Sequence, residues 1–515
     1  MLARVVSAIL LAVLLTAGSW HPAATNGTPK LYLVVIVVDG FRPDYETLVP
    51  MRHLRALMAA GRSYDTAWVG HMESETPPGH ATIATGVYPA KHHVSGFGWR
   101  DPATGQFTWA PTDLKAIAQG YITRTMEQSG VPTISDLIHQ RNRSDLSISI
   151  SGEKLWAAAP LGAGADYILY GKEVPYKKTQ VRFRPQVVGP NLPPRSSGYL
   201  SVEATDSAFT NQDGFAARLA AKLVTALRPR ALLLNLPGTD LAGHYYGGMN
   251  DPKDMRDTLK AADYAIGTVV NTYKKLGLYS KTLFVITADH GMADNRTIVP
   301  IHKMYNLIRT LPVTQLDQEY RISVGSIWLR DPQNAATVAS HMTAQHYRGI
   351  DGALYKVSDT TGMRFVPDAW TRTHVPAALL KAYIDLANTE ASPAGPDILL
   401  PYGEDTTGLP PGHKYQGSHG GFSWGVQHIP LVLVGPGIRP GLSHFPAKLV
   451  DVAPTIERLL GLPVPAGVDG VVLADAMRNA QSADSSAQTG VAAGRLADVQ
   501  ALRAHSLAQT AAHRR

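Results

Sequence analysis

Leu31–Val38 is an unbroken apolar run, rich in β-branched residues, that ends in Asp39-Gly40. Such a run predicts a strand buried on both faces, the kind found in parallel sheets, followed by a turn. From Tyr45 to Ala60 the apolar positions recur at helical spacing and stop at Gly61, a helix C-cap signal. Downstream the period keeps switching. Phe215–Leu227 predicts an amphipathic helix, Ala231–Leu236 a strand, Met255–Leu276 a long helix, and Thr282–Thr287 and Ile429–Val434 two more strands. This alternation predicts an α/β fold, with a doubly wound, mainly parallel sheet and helices on both faces.

Two stretches interrupt the alternation. Residues 100–200, rich in Pro, Gly and polar residues, hold only short periodic pieces and read as loops and excursions around the core. Residues 296–415 contain a strand-like Arg321–Leu329, a helical Ala335–His346 and a strand-like Gly352–Val357, which predicts a small α+β cap insert over one edge of the sheet. The division expected is a catalytic core over 30–295, the insert over 296–415, the last part of the core over 416–478 and a flexible tail over 479–515, where Ala, Gln, Ser and Arg dominate. At the N-terminus a basic start, Met1–Arg4, leads into Val5–Leu15, apolar but too short to span a bilayer, and then into small residues. That pattern predicts a signal peptide over 1–24 and a periplasmic or secreted protein. No membrane anchor is expected, since no later segment has the apolar length of a span and there is no cysteine to carry a lipid.

Composition narrows the chemistry. The formal charge of +7 favours anionic partners, yet no stripe of basic residues runs along any element, so nucleic-acid binding is not expected and a small anionic substrate is. The absence of cysteine removes disulfides and thiolate metal sites.

In an open α/β sheet, ligands bind beyond the carboxyl ends of the strands. Asp39 follows the first predicted strand, Asp240 and His244 follow Ala231–Leu236, Asp289-His290 follow Thr282–Thr287, and His419 sits in a Gly-rich stretch just before the Ile429 strand. Each has a bland reading alone: a turn, a helix cap, a surface pair at i,i+4 spacing. Together these six Asp and His side chains suffice for two metal sites of the Zn²⁺ or Mn²⁺ type. Thr76, in Glu75-Thr-Pro-Pro-Gly-His80, opens a predicted helix whose N–H groups would receive an anionic oxygen, and a hydroxyl beside a bound cation is an activated nucleophile. His80 reads as a structural or supporting histidine rather than a ligand.

Asp39-Gly, Thr76-x-Pro-x-His80, Thr85-Gly-x-Tyr-Pro, Asp240-x-x-x-His244, Asp289-His290-Gly and His419-Gly, in this order, resemble the alkaline phosphatase superfamily, and most closely its nucleotide pyrophosphatase/phosphodiesterase branch. Val450–Pro463 and Asp469-Gly470 resemble the superfamily's C-terminal helix and turn. The resemblance implies two Zn²⁺ ions, one held by Asp39, Asp289, His290 and the Thr76 oxygen, the other by Asp240, His244 and His419. It also implies in-line attack by Thr76 on a small phosphate ester or nucleotide.

This chain departs from the pattern at two places. Where relatives carry a phosphoryl-contacting Asn, the segment His92–Trp99 puts Phe97 or Gly98, and where threonine-type monoesterases carry a Lys and an Arg, Glu153–Pro160 offers only Lys154. Phe97, Gly98 and Lys154 are therefore the expected substrate contacts, and the missing Arg leans toward diesters over the alternative, an alkaline phosphatase-type monoesterase. Gly421-Phe-Ser423-Trp-Gly425 matches a serine-hydrolase elbow without its strand–turn–helix setting. A sulfatase would need Cys or Ser at Thr76. A non-catalytic exported metal-binding protein is the reading from another class.

Overall fold

The computed structural model describes residues 30–101, 104–109, 114–176, 180–205, 209–249, 252–311, 325–409 and 412–513; the predicted signal peptide over 1–24 lies outside the described residues. A ten-stranded sheet forms the core, built from β1 (Tyr32–Val38), β2 (Arg62–Tyr64), β3 (Ser147–Ile150), β4 (Tyr167–Tyr176), β5 (Gln180–Val188), β6 (Ala204–Thr205), β7 (Ala231–Leu236), β8 (Thr282–Thr287), β9 (Leu431–Val434) and β10 (Gly441–Ser443). Across the sheet the order is β10-β2-β9-β8-β1-β7-β3-β4-β5-β6. The centre, β8-β1-β7-β3-β4, is parallel throughout, and antiparallel pairs flank it. Apart from Tyr32 at the start of β1, the three runs at the centre are buried, as expected of strands covered on both faces.

Helix α5 (Pro252–Lys275) packs against both α1 (Arg52–Ala60) and α3 (Phe209–Leu227), and Leu54, Phe215, Leu219, Leu223, Leu259 and Ile266 share one core with the central strands. Helix α2 (Thr76–Thr85) gives Ile83 to the same core and, on another side, Ala81 and Ala84 to a second cluster with Leu155, Ala159 and Trp99. The expected helix from Tyr45 is shorter at its start: Pro43–Thr47 forms a 3₁₀ turn and Pro50 separates it from α1, because proline lacks the N–H a continuing helix needs.

Two expectations are corrected. Residues 100–200 do not merely loop around the core; they supply β3, β4 and β5. The β4–β5 ribbon has exposed Lys172, Glu173 and Pro175, so Gly, Lys, Glu, Arg and Pro interrupt its apolar pattern. Nor is residues 479–515 a flexible tail: α6 (Ser482–His513) is a continuous helix. It buries Val499 and Leu502 with Tyr383, Leu386 and Phe422, and Arg495 pairs with Asp451 at 2.5 and 3.0 Å.

Between β8 and β9 the chain builds a second sheet in the order Ser326–Ile327, Ile398–Leu399, Leu354–Asp359, Gly362–Pro367. Helices Ile301–Thr310 and Ala335–Thr343 pack Met304, Ile308, Val338 and Met342 against its Ile327 and Ile398. Of the predicted strand Arg321–Leu329, residues 321–324 lie outside the described residues. No helix among the described residues is long and apolar enough to cross a membrane.

Candidate functional site

Parallel register brings the site together. Val37 of β1 lies beside Asn235 of β7 and Thr287 of β8, so all three strands end at one rim. Asp39 leaves β1, and Gly40 follows at φ +69°, where a Cβ would sit 2.9 Å from the Asp240 Cα; only glycine allows that approach. Helix α4 (Gly238–Tyr246) leaves β7 and carries Asp240 and His244 one turn apart. Asp289 and His290 follow β8, and His419 arrives from the loop before β9.

Helix α2 begins at Thr76 and ends at Gly86 in the left-handed conformation. Every residue of α2 is buried. Pro77 and Pro78 carry no N–H, and the Gly79 N–H is bonded to the Glu75 carbonyl. The expected array of helix N–H groups for an anion is thus reduced to the one on Thr76. The Thr76 hydroxyl stands 3.5 Å from Asp39 Oδ1 and 3.4 Å from His290 Nε2.

Two groups of side chains place their ligand atoms close enough to hold a cation: Asp39, Asp289 and His290, and Asp240, His290 and His419. His290 stands in both. The resemblance put His244 in the second set; its Nε2 is 3.5 Å from Asp240 Oδ1, beside that triad rather than within it.

Backbone carbonyls fix the imidazoles. His290 Nδ1 donates to Gly291 O at 2.8 Å, His244 Nδ1 to Gly417 O at 3.1 Å and His419 Nδ1 to Ser74 O at 3.3 Å. Each Nε2 is left with a lone pair, the arrangement that outer-shell partners impose on metal-binding histidines. Those lone pairs face carboxylate oxygens, His419 to Asp240 Oδ1 at 3.3 Å and His290 to Asp289 Oδ2 at 3.5 Å. Neither oxygen accepts a well-formed hydrogen bond. Acceptor facing acceptor in a buried site is unfavourable unless a cation or proton lies between them, so the donor set fits divalent metal ions.

The electrostatics agree. Burial, reinforced by Asp289, raises the Asp39 pKa to about 6. Burial works against Asp240 too, but Lys154 and the histidines hold it well below the usual range. Burial and His290 keep His419 neutral, while for His290 the surrounding carboxylates outweigh burial and raise its pKa.

Lys154 is no solvated loop residue: its ammonium reaches Asp39 Oδ1 at 3.0 Å and Asp240 Oδ2 at 2.5 Å, one carboxylate from each group, and the two keep it charged despite burial. Phe97 and Gly98 bring no polar side chain. The Phe97 N–H donates to Glu75 Oε2 at 2.9 Å, and its half-buried ring lies 6.1 Å from that of Trp109. The elbow-like Ser423 caps the four-residue helix Trp424–Gln427 and is preceded by a loop, not a strand.

Sequence reading missed Asn235, the one polar side chain in the otherwise apolar β7 and fully buried. Its Nδ2 donates to Asp39 Oδ2 at 2.8 Å.

The model of the family described as type I phosphodiesterase / nucleotide pyrophosphatase matches residues 33–408. Alkaline phosphatase PhoD of Zymomonas mobilis is 22% identical over 85% of this chain and 87% of its own length. A bis(5'-adenosyl)-triphosphatase of Pongo abelii is 23% identical over 88% of this chain and 83% of its own. The crystal structure of alkaline phosphatase PafA shares the fold, with a TM-score of 0.68 at 17% identity over 88% of this chain and 100% of that one.

Proposed function

The chain belongs to the type I phosphodiesterase / nucleotide pyrophosphatase family and is a phosphoric ester hydrolase, and from that premise we propose that it is an exported enzyme in which Thr76 attacks phosphorus at a two-zinc site, with diesters and nucleotide pyrophosphates favoured over monoesters. The observation that carries this reading is the Thr76 hydroxyl at 3.5 Å from Asp39 and 3.4 Å from His290 on the first turn of a wholly buried helix.

Asp39, Asp289 and His290 would hold one ion beside Thr76, and Asp240, His419 and the neighbouring His244 the other. Bound there, two divalent cations would lower the pKa of the hydroxyl and neutralise charge on the entering and leaving oxygens; Mn²⁺ suits the same donors. The helix holds the Thr76 hydroxyl fixed, so attack needs little reorganisation. Thr76 forms an ester bond to phosphorus as the leaving alcohol or nucleotide departs, and water then hydrolyses that ester.

Lys154 is the ammonium within reach of a phosphoryl oxygen lying between the two groups, and no arginine accompanies it in Glu153–Pro160. A single cation suits the single charge of a diester better than the double charge of a monoester. Phe97, with its N–H committed to Glu75, adds apolar contact to the substrate rather than a donor. The export part rests on the Met1–Leu15 pattern, and the N-terminus of the mature protein recovered outside the cytoplasm tests it.

The direct test compares kcat/KM of the zinc-loaded protein on bis-p-nitrophenyl phosphate and p-nitrophenyl phosphate, with Thr76→Ala as background. A preference for the diester above about tenfold, roughly 1.4 kcal/mol, supports the reading. The opposite ratio overturns the diester assignment, and turnover of both at the Thr76→Ala level overturns the whole.

A further inference from the structure

A buried polar chain runs behind the first of the two acidic groups. Ser151, just past β3, donates its hydroxyl to Asn235 Oδ1 at 2.6 Å. Asn235 Nδ2 lies 2.8 Å from Asp39 Oδ2 and 3.0 Å from His80 Nε2. His80 Nδ1 lies 2.8 Å from the Thr76 carbonyl and 3.3 Å from Asp289 Oδ2. Ser151, Asn235, His80, Asp39 and Asp289 are all fully buried, so no water competes for these bonds.

The chemistry of the groups leaves one assignment of protons. A carboxylate oxygen only accepts, so the Asn235 atom facing Asp39 must be the amide nitrogen, and the atom facing the Ser151 hydroxyl must be the oxygen. The second amide hydrogen then points at His80 Nε2, which accepts with its lone pair. The His80 proton therefore sits on Nδ1, where it donates to the Thr76 carbonyl and faces Asp289. One amide thus holds Asp39 directly and, through His80, the backbone of Thr76, with His80 facing Asp289.

We propose that Asn235, locked by Ser151, is the positioning residue of the nucleophile-side ion site: it sets the orientation of the Asp39 carboxylate and of the His80 ring, whose tautomer the Thr76 carbonyl already fixes. This rests on the two-ion reading above. Without the amide, Asp39 Oδ2 loses its donor and the buried His80 Nε2 lone pair loses the hydrogen that faces it, while the Nδ1 proton stays toward the Thr76 carbonyl. Partners that orient metal ligands in this way are worth about 10- to 100-fold in metal affinity.

The test is competitive zinc titration of the metal-stripped chain, as wild type, Asn235→Leu and Ser151→Ala, together with imidazole nitrogen NMR of His80. The expected result is wild type binding two ions, Asn235→Leu losing 10- to 100-fold in affinity for one ion and keeping the other, and a His80 that keeps its proton on Nδ1 while its Nε2 resonance shifts on loss of the amide hydrogen bond. Ser151→Ala, which removes only the lock on the amide, should weaken the same ion by less. A wild-type chain that binds no second ion overturns the two-ion reading itself. Two unweakened ions in Ser151→Ala and Asn235→Leu, or an unchanged His80 Nε2 resonance in Asn235→Leu, overturn the role of Asn235, as does equal weakening of both ions, which would mark a packing defect in β7.

Discussion

Gly79→Ala is a one-methyl perturbation aimed at the site from behind. A Cβ at this position would lie 2.8 Å from both the Cβ and the carbonyl oxygen of Asp289, where ordinary contact begins at 3.4 Å. Helix α2 and the Asp289 turn must then separate by about 0.6 Å, while metal-ligand bonds tolerate only about 0.2 Å. Two effects on stability oppose each other. Replacing a helical glycine by alanine gains up to about 1 kcal/mol, and overpacking a filled interior costs about 1–3 kcal/mol, so the clash wins by a small margin and the variant still folds. Activity is the more sensitive quantity, because misplacement by about 1 Å costs on the order of 100-fold. The expected fall in kcat/KM is about 10- to 100-fold, roughly 1.4–2.7 kcal/mol, together with weaker binding of one zinc ion. Gly490→Ala, on α6 where an added methyl meets nothing within 4 Å, is the control and should be neutral or slightly stabilising. A Gly79→Ala enzyme with wild-type kcat/KM and zinc content would refute the claim that Asp289 is held against α2 in the working site.

Further outcomes follow from other parts of the molecule. Arg495→Ala removes the guanidinium from the buried Asp451 carboxylate, which keeps the backbone N–H groups of Lys448 and Val471, and should cost about 3 kcal/mol in chemical denaturation; an unchanged midpoint would mean α6 does not brace the core. Leu502→Ala, deleting a side chain buried between α6 and the Tyr383 cluster, should cost about 2–5 kcal/mol by the same assay. Burial raises the Glu457 carboxyl to about 8, above its unfolded value, so the stability it contributes is present at low pH and is lost as pH rises toward 8. Glu457→Gln should therefore flatten the decline of unfolding free energy between pH 5 and 8, and an identical decline in the variant would contradict that assignment. A chelator should abolish hydrolysis and zinc should restore it, and activity that survives metal removal would return attention to Ser423.

The legible parts of the fold were those whose physics is one-dimensional. Ala231–Leu236 and Thr282–Thr287 could be bounded to the residue because strands buried on both faces are apolar along most of their length. The β4–β5 ribbon was not, since its exposed positions carry Lys, Glu and Pro and break the period. Helix α6 hid for a different reason. Arg495, Val499, Leu502 and Ser506 are buried at three- and four-residue spacing, but the stripe mixes charge and hydroxyl with apolar groups, so composition alone looked like a tail. At the site, Asp39, Asp240, Asp289, His290 and His419 could be read because strand ends mark the rim of an α/β sheet. Asn235 could not: its role depends on the carboxylate it meets across the sheet, and the only local sign was a polar residue inside an apolar strand. Lys154 was legible as a substrate contact, but its bridge between Asp39 and Asp240 depends on the fold.

The central claim is that Thr76 carries the phosphoryl group. Acid-quenched turnover of bis-p-nitrophenyl phosphate, followed by mass spectrometry of the peptide spanning Glu75–Lys91, tests it most directly. The account predicts a p-nitrophenyl phosphoryl adduct on Thr76 that is absent from Thr76→Ala. Turnover with no adduct at Thr76, or with the adduct on another residue, would contradict it.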